Sequence, residues 1–255
     1  MDQNGAGHPR REGRCRRLHR YLRHERGLEE VVMLTFIDKE IKDLELEVGA
    51  GETLTLRLAA FESFPTANIL IKVQNGGVFD GAFADFSPDG GKFNLRVELL
   101  GEGAKATWHY AGISNGDAQK VVDTSASHLA RNTSADIAQY GITMDQSRLT
   151  FIGTSHIHQG MKGSATSQKE KIIVFDKGAV GKCSPILRID ENDVEASHSA
   201  IVGKLSDEHL FYMLSRGIDL PTAKRLLTLG YLKPVLAHYD GELGERIKEC
   251  IEGGF

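Results

Sequence analysis

The chain has 255 residues and a formal net charge of −4 at pH 7, with 40% hydrophobic and 26% charged residues. This balance is ordinary for a globular protein and gives the chain as a whole no electrostatic reason to bind nucleic acid. Its uninterrupted apolar runs are short, whereas a membrane-spanning helix needs about 20 apolar residues, so a membrane span is not expected. Three scattered cysteines and no signal-peptide pattern predict a cytoplasmic protein without a disulfide framework.

The first segment is rich in arginine, with eight arginines between positions 10 and 26. Because crowded like charges repel one another, residues 1–30 are expected to form a disordered, solvated tail. A basic arm that binds phosphate groups is an alternative, but Tyr21 is the only aromatic residue beside the arginines. Translation from Met33 is a further alternative that the sequence leaves open.

From residue 31 to about 200, apolar and polar residues alternate, as along strands with one buried and one solvent-facing side. Clear examples surround Leu46, Leu56, Ile71 and Leu95. Turn signals separate the runs at residues 49–51, 75–77, 88–91, 101–103 and 115–117. The pattern predicts a strand-rich body over residues 31–203. It does not choose between a sandwich or barrel and a β-helix solenoid.

The pattern becomes helical in residues 204–255, which are expected to form a small C-terminal domain. Ser206 with the acids after it predicts a capped helix start, and Gly217 predicts that helix's end. Pro221 predicts the start of a second helix, and a third amphipathic segment runs from about residue 241 to 251. In the second helix, apolar residues are expected to point inward and basic residues outward, namely Ala223, Leu226 and Leu227 against Lys224 and Arg225.

Common catalytic and nucleotide-binding motifs are absent. Residues 176–183 approach a phosphate-binding loop, but Asp176 replaces the first glycine and Cys183 replaces the serine or threonine that holds magnesium. No helix is predicted after this segment, so we do not expect this chain to bind a nucleotide. The sequence predicts neither a GxSxG nucleophile elbow, which needs a helix directly after the strand, nor an HExxH helix.

Histidines offer the remaining candidates for chemistry. His156 and His158 lie two positions apart in a strand-like run, so both point to one side. They can hold a metal together with His109, His128 or His198, although facing solvent or stacking on neighbours is the alternative. Cys183 is either a thiolate ligand or a buried inert cysteine. His198 precedes the change from strands to helices, and a titratable residue at a domain junction is a functional candidate.

Residues 195–218, EASHSAIVGKLSDEHLFYMLSRGI, resemble the C-terminal signature of the SufB and SufD proteins of the SUF system. The following residues 223–231 resemble the family's next helix. Upstream, residues 127–136 and 160–168, followed by an Ile-Ile-Val strand, are similar to the family's core. The resemblance extends from about residue 90 to 235.

The resemblance implies a mainly β fold, namely a right-handed parallel β-helix with a small C-terminal helical domain. It also implies a non-enzymatic scaffold of iron–sulfur cluster assembly. Such a scaffold pairs with a second SufB/SufD-like subunit through its β-helix, so that a transient cluster forms at the interface. It docks a SufC-type ABC ATPase on its helical domain, which here would use Leu210, Phe211, Met213, Arg216, Lys224 and Arg225. Energy then enters through the partner's ATP hydrolysis.

The sequence departs from the family pattern at two cysteine positions. Lys169 stands where SufB carries its cluster or sulfur cysteine, and Ala196 stands where SufD often has a cysteine. His198 is retained, so the chain is expected to be SufD-like, with His198 as a cluster or iron ligand and Cys183 as a substitute near the same end. Two alternatives stay open: a purely structural ATPase-binding partner, and a metal-dependent enzyme that uses the His156/His158 pair.

Overall fold

The computed structural model describes residues 22–26, 29–38, 41 and 43–253, and side chains from residue 31 onward. These residues form fourteen strands followed by three helices. The strands are β1 Leu22–Arg26, β2 Glu29–Ile37, β3 Asp43–Val48, β4 Thr53–Ala60, β5 Ala67–Val73, β6 Val78–Asp85, β7 Gly91–Leu99, β8 Lys105–Ser114, β9 Gln119–His128, β10 Ser134–Thr143, β11 Arg148–Ile157, β12 Ala165–Val174, β13 Val180–Ile189 and β14 Glu195–Lys204. The helices are α1 Asp207–Ser215, α2 Leu220–Leu236 and α3 Gly241–Gly253.

Successive strands alternate between two sheets. The eight-stranded sheet has the order β1-β2-β4-β6-β8-β10-β12-β14, and the six-stranded sheet has the order β13-β11-β9-β7-β5-β3. All pairs are parallel except β1 with β2. Lys105, Ser134, Ala165 and Glu195 stand in register on successive coils, so one coil spans about 30 residues. The β-helix is therefore confirmed, and the sandwich and the barrel are excluded.

Alternate side chains of each strand point into the lumen between the two sheets. In β9 the burial alternates strictly along the strand, as the period-two pattern predicts. The middle coils fill this lumen with aromatic rings, and the Phe93 and Trp108 rings stack with centroids 5.8 Å apart. The largest fully buried side chains are Trp108, Tyr110, Phe79, Phe83, Phe93, Lys120 and Phe151.

The turns between strands stack on one another along the β-helix. The Gly76 N–H donates to the Glu102 carbonyl at 2.8 Å, and the Gly103 N–H donates to the Arg131 carbonyl at 3.1 Å. At Gly101, a side chain would collide with the backbone of Asn75 in the preceding coil. Glycine is therefore required there by close backbone approach, which the turn signals of the sequence reflect.

The helical domain packs on the outer face of the eight-stranded sheet. Leu232, Val235 and Ile247 of α2 and α3 form a second apolar cluster with outward-facing residues of the strands, such as Ala82 and Ala111. The Tyr239 hydroxyl donates to the Leu58 carbonyl at 2.7 Å and ties the end of the domain to β4. Consequently β4 is buried on both faces over most of its length, whereas its alternation predicts one solvent-facing side.

Two orientations expected for α2 are wrong. Leu226, expected to point inward, is 47% exposed. Lys224, expected to point outward, is half-buried, and its Nζ lies 3.5 Å from Asp176 Oδ1. The helix is rotated relative to the expectation because its buried positions are Ala223, Thr228, Leu232 and Val235.

The expected tail lies largely outside the described residues, which begin at residue 22. Residues 22–26 form strand β1, antiparallel to β2, and so differ from the expectation of a disordered tail for that stretch. Met33 lies within β2. Within the part of the chain that the structure describes, none of the helices is long and apolar enough to cross a membrane.

Candidate functional site

The C-terminal end of the β-helix leaves two strands with a free edge. Among the described residues, β14 pairs only with β12, and β13 pairs only with β11. In β14 every residue except Gly203 is exposed. Exposed apolar side chains are concentrated on these two strands, including Ile201 at 51%, Val202 at 47% and Ile186 at 40%. Such an edge offers unpaired backbone groups and apolar surface to another chain.

His198 lies on β14, and its register places it on the lumen side of the last coil. Its Cα partner on β12 is Gln168, which is buried in the lumen. Two residues in a parallel register share one face of the sheet. His198 is nevertheless exposed, since none of the described residues forms a further coil over it. The junction position expected for His198 is wrong: it lies in the middle of β14, six residues before Lys204 ends the strand.

Cys183 lies on β13, across the lumen from β12 and β14. Its register partner on β11 is the buried Phe151, so the thiol points toward the lumen and is half-buried. The Sγ atom lies 4.0 Å from the Ile201 carbonyl oxygen of β14. Burial, with a smaller contribution from the charge of Glu170, raises the pKa of Cys183 to about 12. The thiol is therefore protonated at neutral pH, and a metal must displace its proton to bind.

Glu170 is a buried carboxylate that the sequence pattern does not predict. It is 1% exposed, lies on β12 between the register partners Gln139 and Ala200, and points toward Gly153. Neither carboxylate oxygen has a partner at hydrogen-bonding geometry among the described residues. Burial raises the pKa of Glu170 to about 7, although nearby backbone N–H groups oppose the shift. Ile172 and Ile173 are both apolar and give the strand no phase, so only the register with the buried Gln139 places Glu170 in the lumen.

The lumen changes from aromatic to polar toward this end of the β-helix. Gln139 Nε2 donates to Thr124 Oγ1 at 2.7 Å. In the next coil, Thr166 Oγ1 and Gln168 Nε2 both donate to Ser155 Oγ, at 2.8 and 2.7 Å. The Oε1 atoms of both glutamines have no partner among the described residues. Together with Glu170, this end of the lumen therefore presents buried oxygen acceptors next to Cys183.

Replacing Glu170 by glutamine should change the pH dependence of stability. Because the folded-state pKa of about 7 lies above the ordinary 4.5, the carboxylate costs stability as pH rises through that window. Below pH 4.5 the group is neutral in both states and the cost vanishes. In thermal unfolding, Glu170→Gln should therefore raise the free energy of unfolding by roughly 3 kcal/mol over the unmodified chain at about pH 8.5. Near pH 4 the two chains should differ little. An exposed control, Glu195→Gln, should show neither effect, and an equal gain at both pH values would contradict the assignment.

His156 and His158 point to the same side, as predicted, and their ring centroids lie 3.6 Å apart. None of the three histidines considered as further ligands joins them within coordinating distance in the described part of the chain. His109 instead stacks on His238 at 4.2 Å, and His128 is buried with its Nδ1 atom 2.8 Å from Thr133 Oγ1. Burial, and to a lesser degree His158 and His156, lower the pKa of His128 to about 4. Among the described residues, none of these histidines thus belongs to a group of three or more ligands with His198.

Helix α1 presents an uncovered apolar surface. Ser206 caps it, as predicted, by accepting the His209 N–H at 3.3 Å, and none of its residues is buried. Phe211 is 73% exposed, and the exposed Arg216 guanidinium lies 5.2 Å from the centroid of the Tyr212 ring. Leu210 and Met213 are half-buried. Among the predicted basic docking residues of α2, Lys224 pairs with Asp176 and Arg225 donates to Thr222 Oγ1 at 2.8 Å, so Arg216 is the more accessible cation.

These features define a class of protein: a two-sheet parallel β-helix with an uncovered last coil and a helical domain folded back on one sheet. Residues 54–231 match the family model of the SufBD core domain of SUF-system iron–sulfur cluster assembly. The chain belongs to this SufBD family, as the resemblance in the sequence predicts.

Curated relatives carry the same family name. The chain is 30% identical over 140 residues to the iron–sulfur cluster assembly protein SufD of Bacillus subtilis. The aligned residues cover 55% of this chain and 32% of that protein. It is 28% identical over 156 residues to a SufBD family protein of Mycobacterium bovis, covering 61% of this chain and 18% of that protein. A SufBD family protein of Staphylococcus saprophyticus is 30% identical over 160 residues, covering 61% of this chain and 34% of that protein. The matches thus span about a third or less of these relatives' lengths.

Proposed function

We propose that this protein is a scaffold component of iron–sulfur cluster assembly and not itself an enzyme. The observation that carries the proposal is the uncovered last coil, where His198 and Cys183 lie on the lumen side of two strands with free edges. Imidazole and thiolate are ligands that suit iron and iron–sulfur clusters. The cluster is the cargo of such a scaffold, held transiently at a subunit interface.

The free edges of β13 and β14 are the proposed pairing surface for a second SufB/SufD-like subunit. The partner would add strands to these edges and cover the exposed Ile186, Ile189, Ile201 and Val202. Pairing would also enclose the open end of the lumen, so that His198 meets ligands from the partner in a site shielded from water. The absence of a cysteine at Lys169, where SufB carries one, supports a SufD-like role. Because Ala196 also lacks the cysteine that SufD often has, the partner would supply the sulfur ligands.

A charge placed on the free edge should prevent pairing. We expect Ile201→Lys to shift the complex, formed with a second copy or with a co-expressed SufB/SufD-like subunit, to separate chains in light scattering after size exclusion. The reason is that a lysine at the edge leaves a desolvated charge within the new sheet. Leu100→Lys changes an equally apolar residue that is 37% exposed far from the last coil, and should pair normally. Unchanged pairing of Ile201→Lys, or equal loss in both variants, would refute this interface.

Helix α1 and the start of α2 are the proposed dock for a SufC-type ABC ATPase. Exposed aromatic side chains beside an arginine are the composition that protein interfaces favour at their centre, and Phe211, Tyr212 and Arg216 provide it here. The dock is attached to the eight-stranded sheet through α2, which packs on β6, β8 and β10. ATP-driven movement of the partner would thus reach the β-helix directly, and this chain need bind no nucleotide.

A further inference from the structure

A second group of potential ligands lies outside the lumen, on the other side of the six-stranded sheet. His156, His158 and Asp190 each offer an atom, and these atoms all lie within 4.8 Å of one another. His156 Nε2 is 2.8 Å from Asp190 Oδ2, with side-chain exposures of 24% and 57%. Since Ser155 and Ile157 are buried in the lumen, their neighbours His156 and His158 face outward. The group is therefore separated by the sheet from the lumen side that carries Cys183 and His198.

The backbone holds this group on two adjacent coils. The Asp190 N–H donates to the Ile157 carbonyl at 2.9 Å and continues the β11–β13 ladder by one residue. The His158 N–H donates to the His128 carbonyl at 3.4 Å, and the His158 carbonyl accepts the Met161 N–H at 3.2 Å. Both ends of the group are thus fixed by neighbouring strands, so little backbone ordering would accompany binding of an ion.

The adjacent carboxylate has a different task, which leaves Asp190 available. Glu191 accepts the N–H groups of Gly160 and Asn192, both at 2.9 Å, and so ties the two turns together. The carboxylate of Asp190 forms a hydrogen bond only with His156 within the described part of the chain. Arg188 is the register partner of His156 on β13, so a cation at this site must bind through direct ligation and not through a general negative field.

We infer that His156, His158 and Asp190 bind a first-row divalent transition-metal ion, with Zn²⁺ as the reference ion. Two imidazole nitrogens and one carboxylate oxygen form a ligand set used for zinc and for non-haem iron, and exposure leaves the remaining positions to water or a further ligand. This inference is independent of the proposed scaffold function, because no residue of the two sites is shared.

The test is calorimetric titration of the untagged full-length chain with Zn²⁺ near neutral pH. We expect one equivalent to bind at this site, and His156→Ala, His158→Ala and Asp190→Asn each to weaken it by more than about tenfold. Two matched controls are His209→Ala on α1 and Asp193→Asn, three residues after Asp190. Both should bind Zn²⁺ as the unmodified chain does. A Cys183→Ala/His198→Ala variant should also retain this equivalent, which separates it from the lumen site. Co²⁺ substitution should give a ligand-field absorption that the three ligand variants lose.

Circular dichroism of each variant establishes that the fold is retained, so that loss of binding reports on ligation. Equal affinity of the ligand variants and the controls would overturn the inference, as would no binding at millimolar Zn²⁺. Binding that is lost in the Cys183→Ala/His198→Ala variant but kept in His156→Ala would place the ion at the lumen instead. That last outcome would overturn this inference and leave the proposed function standing.

Discussion

Replacing Lys120 by methionine is expected to lower the free energy of unfolding by about 3–5 kcal/mol, since it leaves an uncompensated carboxylate in the core. Lys120 Nζ lies 2.8 Å from Asp85 Oδ2, and both side chains are fully buried. The ammonium group also donates to the Ser87 carbonyl at 2.7 Å and to the Ile113 carbonyl at 2.9 Å. Tyr110 donates to the same Asp85 oxygen at 2.8 Å, so one substitution disturbs a network that joins two adjacent coils.

Urea-induced unfolding followed by circular dichroism measures this effect. Adding Asp85→Asn to Lys120→Met should recover part of the lost stability, because the double variant no longer buries a charge. Lys105→Met, which removes an exposed lysine from neighbouring β8, serves as the matched control and should change stability by less than about 0.5 kcal/mol. If Lys120→Met lowers the free energy of unfolding by less than about 1 kcal/mol, the Lys120–Asp85 pair behaves like a surface ion pair. That result would contradict the burial of the pair.

Replacing Phe211 by alanine is expected to weaken binding of a SufC-type ATPase by at least about 30-fold, corresponding to a loss of about 2 kcal/mol. Phe211 is the most exposed large apolar side chain of the described residues, at 73%, and lies on a helix with no buried residue. An aromatic ring in this position has no role in the core, so its loss should leave the fold intact. Biolayer interferometry with the full-length chain and the purified ATPase measures the affinity directly.

The companion variants define where the dock lies. Arg216→Ala should also weaken the complex, since Arg216 flanks the exposed Tyr212 ring. Lys224→Ala should have a smaller effect, because Lys224 already pairs with Asp176. Leu100→Ala, on an exposed turn of the β-helix, should bind as the unmodified chain does. If Phe211→Ala retains full affinity while another surface is sensitive, the ATPase does not dock on α1.

The period-two pattern and the turn signals predicted the strands well, because each is a local property of a few residues. The choice of a β-helix was not local, since it depends on pairing between residues about 30 positions apart, such as Lys105 and Ser134. In the sequence, only the family resemblance indicated a β-helix. The packing of the helical domain left a fainter signal: β6 carries small residues such as Ala82 and Ala84 at outward positions, where a solvent-facing strand would carry polar ones.

The site residues were predictable to different degrees. His198 and Cys183 followed from the family resemblance and from residue type, and the structure adds that both lie on the lumen side of the last coil. Glu170 escaped prediction because β12 reads as polar on both faces, which hides the direction of each side chain. The sequence did not predict Asp190 as a neighbour of His156, because the two are 34 residues apart. Only the coil length of the β-helix brings them together.

Anaerobic iron–sulfur reconstitution of the complex with the ATPase and a second SufB/SufD-like subunit tests the central claim most directly. Iron and sulfide content and visible absorption should show a cluster with the unmodified chain, and the yield should fall severalfold with His198→Ala. His158→Ala, which alters an imidazole on the opposite face of the six-stranded sheet, should give the full yield. Full cluster yield with His198→Ala, in a complex that assembles normally, would contradict the assignment of the open end as the place where the cluster forms.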